Sequence, residues 1–350
     1  MQKVLHIVEA FEGGIYTFLK ALTSHQCDSF EVYIAYGIRP FTHKNFKECF
    51  DNRVQWVEVY NFQRAVGVKD IKAFFELKRI VREVRPDIIH LHSSKAGFLG
   101  RWAFNGYRYK IFYTPNGYSF LMKGESKLKR NLYWLIECFS AKTKAVTIAC
   151  GKGEYKEALK LSSRCTYVNN GINICRLKPF VIASHELLPV VCTSGRITFQ
   201  KNPELFNEIA GLLPELKFIW IGDGELRHQL TAANIEITGW MDPEETVRLK
   251  QEVGFFILTS LWEGLPLSLL EAMYLRKVCL VSDVTGSREV IEEGRNGFVC
   301  RTAEEYALQI SRMLRGEWDW RILTEQSHKD VVEFYNTEAM AASYREIYQN

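Results

Sequence analysis

A chain of 350 residues exceeds the usual size of a single domain, so two domains of about 150–200 residues are expected. Its 47% hydrophobic and 25% charged residues are ordinary for a soluble globular protein. The net charge of +4 hides an asymmetry: residues 1–175 hold 27 Lys+Arg against 15 Asp+Glu (+12), and the remainder 18 against 26 (−8). A basic half points to an anionic partner. No helix-turn-helix, zinc-finger or stacking-sheet pattern is present, so nucleic acid is not expected, whereas an anionic membrane face or a lipid diphosphate is. The nine cysteines form no C-x-x-C pair, which argues for free thiols in a reducing cytoplasm rather than a zinc site or a disulfide framework. No apolar run is long enough to span a bilayer.

Along the first half, residues 3–8 read as a short β-branched strand, and Gly13-Gly14 opens an amphipathic segment with helical spacing. A glycine pair there lets a ligand approach the backbone closely. It is not G-x-G-x-x-G, so the dinucleotide fingerprint is absent. Strands are expected at 30–35 and 54–59, then a helix at 70–84 stopped by Pro86. Residues 87–92 form a buried strand ending at Ser93. Ligands of open α/β sheets bind beyond the carboxyl ends of strands, where His92 and Ser93 fall, although a hydrogen-bonded structural histidine is an equal reading. Strand 110–114 leads into Pro115-Asn116-Gly117, a sharp turn. Between 123 and 144, Lys123, Lys127, Lys129 and Arg130 accompany Leu132, Tyr133, Trp134, Leu135 and Phe139. This is either a membrane-docking helix or a core helix with a basic entry loop.

In the second half, residues 188–194 restart the strand pattern and feed Gly195-Arg196, then Lys201 and a helix over 204–213. A glycine turn at a strand end delivers Arg and Lys to neutralise a diphosphate. Strand 217–221 ends in Gly222-Asp223-Gly224, a second close-approach turn. Gly239-Trp240 could pair its backbone with a base edge, with the indole itself in the core. Residues 254–261 read as a buried strand, Gly264 as part of a tight turn, and Pro266 as the first residue of a helix through Leu267 and Ser268. Backbone N–H groups near Leu265 to Ser268, with the positive end of the helix dipole, attract phosphate. Glu263 and Glu271, eight positions apart, would repel a diphosphate, so they are expected to accept hydrogen bonds from hydroxyl groups. A nucleotide-sugar has phosphates in the middle and polyhydroxy rings at both ends. Helices are expected at 302–314 and 336–349.

The stretch 263–273, E-G-L-P-L-S-L-L-E-A-M, resembles the signature of the family-4 retaining glycosyltransferases of the GT-B fold, of the kind used in bacterial O-antigen and capsule assembly. Gly195-Arg196 with Lys201, Gly222-x-Gly224 and the Asn170-Gly171-Ile172-Asn173 segment resemble other parts of that family's pattern. The resemblance implies an α/β protein with two doubly wound Rossmann-like parallel sheets facing across a cleft. Residues 1–180 would bind the acceptor, 181–330 the donor, and 331–350 would return to the first domain. It implies that Glu271 holds the ribose hydroxyls, Glu263 a hydroxyl of the donor sugar, and Arg196 and Lys201 the diphosphate. The backbone of Leu265, Pro266, Leu267 and Ser268 assists, and Gly222, Gly224 and Gly239 border the nucleotide. Gly13, Gly14, His92 and Ser93 fall on the acceptor side. In this family retention is described by front-face departure, the leaving phosphate taking the acceptor's proton. The family often carries His before the glycine where this chain has Asn116, and an amide can hold a hydroxyl but cannot shuttle a proton. Asn173 likewise replaces an acid. No D-x-D occurs, so neither metal nor other cofactor is expected. UDP is the expected nucleotide on family frequency. The expected acceptor is a saccharide on polyprenyl diphosphate, with the enzyme resting peripherally on the cytoplasmic face of the inner membrane. Two alternatives stay open: a UDP-sugar 2-epimerase of the same fold, and a non-catalytic nucleotide-sugar-binding protein.

Overall fold

The computed structural model describes residues 1–350 except 10, 12, 39–41, 43, 44, 64–66, 105–108 and 182–185. It forms two compact units: residues 1–121, 125–171 and 337–350 make the first, and 122–124 with 172–336 the second. The division therefore lies at 171/172 and 336/337, where sequence reasoning placed it near 180 and 330. Ile172 belongs to the second unit because its N–H donates to Tyr335 O (2.9 Å) and it bridges Asn336. Neither tie is local in sequence, so no composition shift marks the boundary.

In the first unit, strands β1 (Gln2–Val8), β2 (Phe30–Tyr36), β3 (Gln55–Glu58), β4 (Ile88–His92), β5 (Lys110–Thr114), β6 (Val146–Ala149) and β7 (Cys165–Tyr167) form one sheet. Their order is β3-β2-β1-β4-β5-β6-β7, and every pair is parallel. A parallel sheet is covered on both faces, which is why β4 is buried at every position. Helix Gly13–Gln26 and the C-terminal helix Thr337–Gln349 cover one face through Phe18, Leu22, Met340, Tyr344 and Tyr348. Helices Val68–Val84, Ser93–Ala103 and Lys127–Ser140 lie over the other.

The second unit holds β8 (Val190–Ser194), β9 (Lys217–Ile221), β10 (Ile235–Ile237), β11 (Phe255–Leu258), β12 (Val278–Ser282) and β13 (Phe298–Cys300), ordered β10-β9-β8-β11-β12-β13. In each sheet the order reverses once, between β1 and β4 and between β8 and β11. Ligands of doubly wound sheets bind outside the carboxyl ends of the strands at such a reversal. Sequence reasoning missed β7 and two helices, Pro243–Gln251 and Trp320–Phe334. The first begins with a readable signal, Asp242 and Glu245 forming a capping box around Pro243.

Candidate active site

At the reversal of the second sheet, the chain leaves β8 through Gly195 (φ 141°) and leaves β9 through Gly222 (φ 138°). The two turns are packed back to back. A Cβ on Gly222 would lie 2.3 Å from Gly195 O, and one on Gly224 would lie 2.2 Å from Ile197 O. Gly195 O accepts from Trp220 Nε1–H (2.8 Å), and Ile197 N–H donates to Asp223 O (2.9 Å). Both a positive φ and a backbone neighbour thus forbid any side chain at 222. Gly222→Ala is expected to destabilise the second unit by at least about 2 kcal/mol. A urea midpoint equal to that of the parent chain would contradict this packing.

Lys201 closes a short turn, Phe199–Lys201, ahead of helix Pro203–Leu212. Its stem crosses Gly195 closely enough that a Cβ there would sit 3.3 Å from Lys201 Cε. Its ammonium reaches Glu263 Oε1 at 2.7 Å, and Ser260 Oγ–H donates to the same oxygen at 2.6 Å. Glu263 is nearly buried, with 8% of its side chain exposed. Thr259 Oγ1–H donates to Lys201 O (2.7 Å) and Leu261 N–H to Gln200 O (2.8 Å), so the segments after β8 and β11 are tied together at the reversal. Arg196 stands on the glycine turn with Nε 3.4 Å from the Glu225 carboxylate. The two cations predicted from this one segment therefore stand at the strand ends, each against a carboxylate.

The helix after β11 is Leu267–Tyr274, and Pro266 is its N-cap in extended conformation, one position earlier than expected. Leu269 and Leu270 N–H both donate back to Pro266 O, whereas Leu267 and Ser268 N–H donate to no carbonyl among the described residues. These are the free donors of a helix N-terminus. A Cβ on Gly286 would meet Gly264 O at 1.8 Å, so the turn at 285–288 buttresses the central turn from behind. Within the helix, Glu271 Oε2 pairs with Lys250 Nζ at 2.7 Å. Lys250 comes from the helix at 243–251 and is 1% exposed, with its ammonium 5.7 Å from the Phe256 ring centroid. Such a lysine fixes the carboxylate's direction, and sequence reasoning gave it no role. The helix at 320–334 steadies the other end: Tyr274 stacks on His328, whose Nδ1 lies 2.6 Å from Tyr274 O.

Gly239 (φ 76°) bridges Gly222, which brings the third glycine of this set to the same turn. Trp240, expected in the core, is 59% exposed. The bridge uses the backbone of Gly239, and the residue after it points outward.

In the first unit the predicted residues gather at that sheet's own reversal. Gly13 (φ 61°) and Gly14 follow β1, and a Cβ on either would meet nothing within 4 Å. Ser93 (φ 67°) follows β4 and is partly exposed. Of the two readings of His92, the structural one holds and the ligand-facing one does not, because its ring is fully buried against Phe18 and His90. His92 Nε2 lies 2.9 Å from His6 Nδ1, and His6 Nε2 lies 2.8 Å from Gln26 Oε1. Since an amide oxygen can only accept, His6 carries its proton on Nε2 and accepts from His92. His90 joins them, between Tyr348 OH and Thr114 Oγ1 (2.8 Å from Nε2). His92 is therefore a structural member of a buried trio, not a group presented to a ligand. Asn116 (φ 54°) is partly exposed on the next turn, a left-handed conformation that Asn tolerates. Gly117 N–H donates to Glu154 Oε1 (2.6 Å) and Cys150 N–H to Glu154 Oε2 (2.8 Å). The buried Glu154, whose carboxyl is pushed up by desolvation, thus pins the turn carrying Asn116. Asn173 caps a short helix by accepting from Arg176 N–H (2.9 Å), a task at which Asn equals Asp.

Two family models, described as Glycosyltransferase Family 4 and Glycosyl transferases group 1, match residues 12–176 and 177–330, one on each unit. The chain belongs to the family-4 glycosyltransferases. A relative from Escherichia coli, UDP-Gal:alpha-D-GlcNAc-diphosphoundecaprenol alpha-1,3-galactosyltransferase, is 29% identical over 66% of this chain and 67% of its own. The N,N'-diacetylbacillosaminyl-diphospho-undecaprenol alpha-1,3-N-acetylgalactosaminyltransferase of Campylobacter jejuni is 25% identical over 83% of this chain and 85% of its own. Among solved structures, Anabaena HepE in complex with UDP and glucose superposes with a TM-score of 0.80 at 16% identity, over 100% of both chains. The fold is GT-B, built from two Rossmann-like domains, and the chain is a glycosyltransferase. The epimerase and binding-protein readings are not favoured.

Proposed function

We propose that this glycosyltransferase transfers a sugar from UDP, with retention at the anomeric carbon, to a hydroxyl of a saccharide carried on polyprenyl diphosphate, in bacterial surface-polysaccharide assembly. The observation that carries the proposal is the convergence of Arg196, Lys201 and Glu263 at the reversal of the second sheet. The named activities of the Escherichia coli and Campylobacter jejuni relatives support the lipid-linked acceptor, and UDP in the Anabaena structure supports the nucleotide.

In this reading Arg196 and Lys201 exchange their carboxylate partners for diphosphate oxygens, joined by the N–H groups of Leu267 and Ser268. When Lys201 turns to phosphate, Glu263 keeps the Ser260 hydrogen bond and accepts from a donor-sugar hydroxyl. Glu271, oriented by Lys250 through Oε2, offers its other oxygen to the ribose. The bond from the anomeric carbon to the β-phosphate oxygen breaks, and the negative charge that builds there meets fixed positive groups. The acceptor hydroxyl oxygen bonds to the anomeric carbon on the same face, its proton passes to the departing phosphate, and UDP leaves. No side-chain base is needed, so Asn116 suffices to hold a hydroxyl. Side chains and helix N–H groups supply the neutralising charge, which makes the transfer metal-independent. The glycosyltransferase works at the cytoplasmic face of the membrane, where such acceptors are embedded.

The test is to incubate the purified chain with UDP-sugars and a GlcNAc-diphospholipid and read the product's anomeric configuration by NMR. The expected product is α-linked, formed much faster than with free GlcNAc. A β-linked product, or equal rates on both acceptors, would overturn the reading. Arg196→Ala is expected to weaken UDP binding about tenfold or more by calorimetry. Lys250→Met should raise the donor KM about tenfold with a smaller change in kcat, since it acts only through Glu271. A Lys250→Met enzyme with unchanged KM would deny that positioning role.

A further inference from the structure

The helix Lys127–Ser140 wears its apolar residues on the outside. Leu128, Leu132, Leu135 and Phe139 are 82%, 53%, 46% and 56% exposed, and only Glu137 and Ser140 are buried. The cause is in the sequence. Glu137 is the helix's one acid and points inward, where it pairs with Arg101 Nη2 at 2.8 Å and accepts from Tyr113 OH at 3.0 Å. Arg101 in turn lies over the Tyr113 ring, 4.0 Å from its centroid. At about 100° per residue, Leu128 lies about 180° round the helix from Glu137, and Leu132, Leu135 and Phe139 fall within about 40° of that direction. An inward ion pair thus fixes the helix's rotation and turns an apolar row to solvent. On the adjoining helix Ser93–Ala103, Phe98 and Trp102 are also exposed, and Trp102 Nε1–H donates to the buried Ser140 Oγ (3.1 Å), which ties the two helices together.

We propose that this outward face of the helix Lys127–Ser140 docks on an anionic lipid bilayer. Its charge selects that occupant. Lys127 and Lys129 stand exposed at the start of the row and Lys142 just past its end, with Lys129 bound to Glu125 (2.8 Å) and Lys142 5.0 Å from the Phe139 ring centroid. Apolar side chains bordered by lysines suit the boundary between acyl chains and anionic headgroups. A second copy of the chain seated there about a two-fold axis would bring the same lysines towards each other, whereas anionic lipid neutralises them. No helix among the described residues is long and apolar enough to cross a membrane, so docking would be peripheral. The proposal deepens the functional reading above and rests on it for a lipid-borne acceptor.

The experiment is flotation of the purified full-length chain with phosphatidylethanolamine–phosphatidylglycerol vesicles and, separately, with phosphatidylcholine vesicles. The parent chain is expected to float with the anionic vesicles only. Leu132→Glu with Leu135→Glu, and independently Leu128→Glu, should each lower partitioning about tenfold or more with melting temperature and UDP affinity unchanged. A parent chain that stays unbound on anionic vesicles, or variants that float equally well, would overturn the proposal. So would a dimer seen by light scattering without vesicles and dissolved by the same variants. UDP calorimetry on the parent chain separates the two readings: failure to bind UDP sinks the transferase mechanism and leaves the flotation result standing.

Discussion

Glu263→Gln is expected to lower turnover by about 10²–10³-fold while changing UDP affinity by no more than about threefold. The amide is isosteric and can still accept from Ser260 and from a sugar hydroxyl, so fold and donor placement survive. What it lacks is the charge that meets Lys201 at 2.7 Å in a nearly buried site. If Glu263 acts on the donor sugar as the transition state forms, kcat and kcat/KM fall together. The matching change, Lys201→Ala, would remove the cation proposed for the diphosphate and strand a nearly buried carboxylate beside Ser260, so it should cost both UDP affinity and turnover. Steady-state kinetics with calorimetry on both variants checks the pair. A Glu263→Gln enzyme with parental kcat would remove Glu263 from the chemistry.

The first unit should be acid-labile. Burial lowers His6 to about 4 and drives His90 and His92 well below the usual imidazole value near 6.5, with the neighbouring rings adding to the effect. The three rings occupy the interior between β1, β4 and the C-terminal helix, with Tyr348 and Tyr344 packed against His90. An unfolded chain takes up protons on these residues below about pH 6.5, and the folded chain does not until much lower. Stability is therefore fully present above about pH 6.5 and is lost as pH falls toward about 4. His6 alone accounts for roughly 3 kcal/mol across that window. Against a usual total of about 5–15 kcal/mol that is a large share, and His90 and His92 act in the same direction. Urea denaturation at pH 7.5 and pH 5 should show a large fall in midpoint, and His92→Leu should reduce the pH slope by about one proton. A midpoint that holds steady between those pH values would contradict the buried neutral trio.

What the sequence disclosed was local chemistry. Glycine turns at strand ends, Arg196 and Lys201 just beyond them, and the glutamates flanking Gly264 all announce themselves within a few residues, and each sits where its strand places it. What it hid were partners contributed by distant elements. Lys250 reaches Glu271 from another helix, and although the Asp242-Pro243-Glu244-Glu245 start was readable, the burial of a lysine was not. The direction of His92 followed from strand alternation, which sets His90 and His92 on one face while His6 pairs with His90 on the adjacent strand. An H-x-H inside an apolar strand was the clue, but it needed the register of β1 against β4 to read. The rotation of the helix at 127–140 is set by Arg101 beneath Glu137, a partner from another helix that the sequence of the segment does not show. Trp240 went astray because a large apolar residue was assigned by type, while a backbone bridge at Gly239 decided its direction.

In the proposed mechanism the cations and free amides at the reversal of the second sheet grip a nucleoside diphosphate, leaving the two glutamates to hold hydroxyl groups. A crystal structure of the chain with UDP tests it most directly. The β-phosphate is expected within hydrogen-bonding distance of Arg196, Lys201 and the Leu267–Ser268 amides, with Glu271 accepting from the ribose. UDP bound elsewhere, or bound there with Lys201 still paired to Glu263 and no cation on the phosphates, would contradict it.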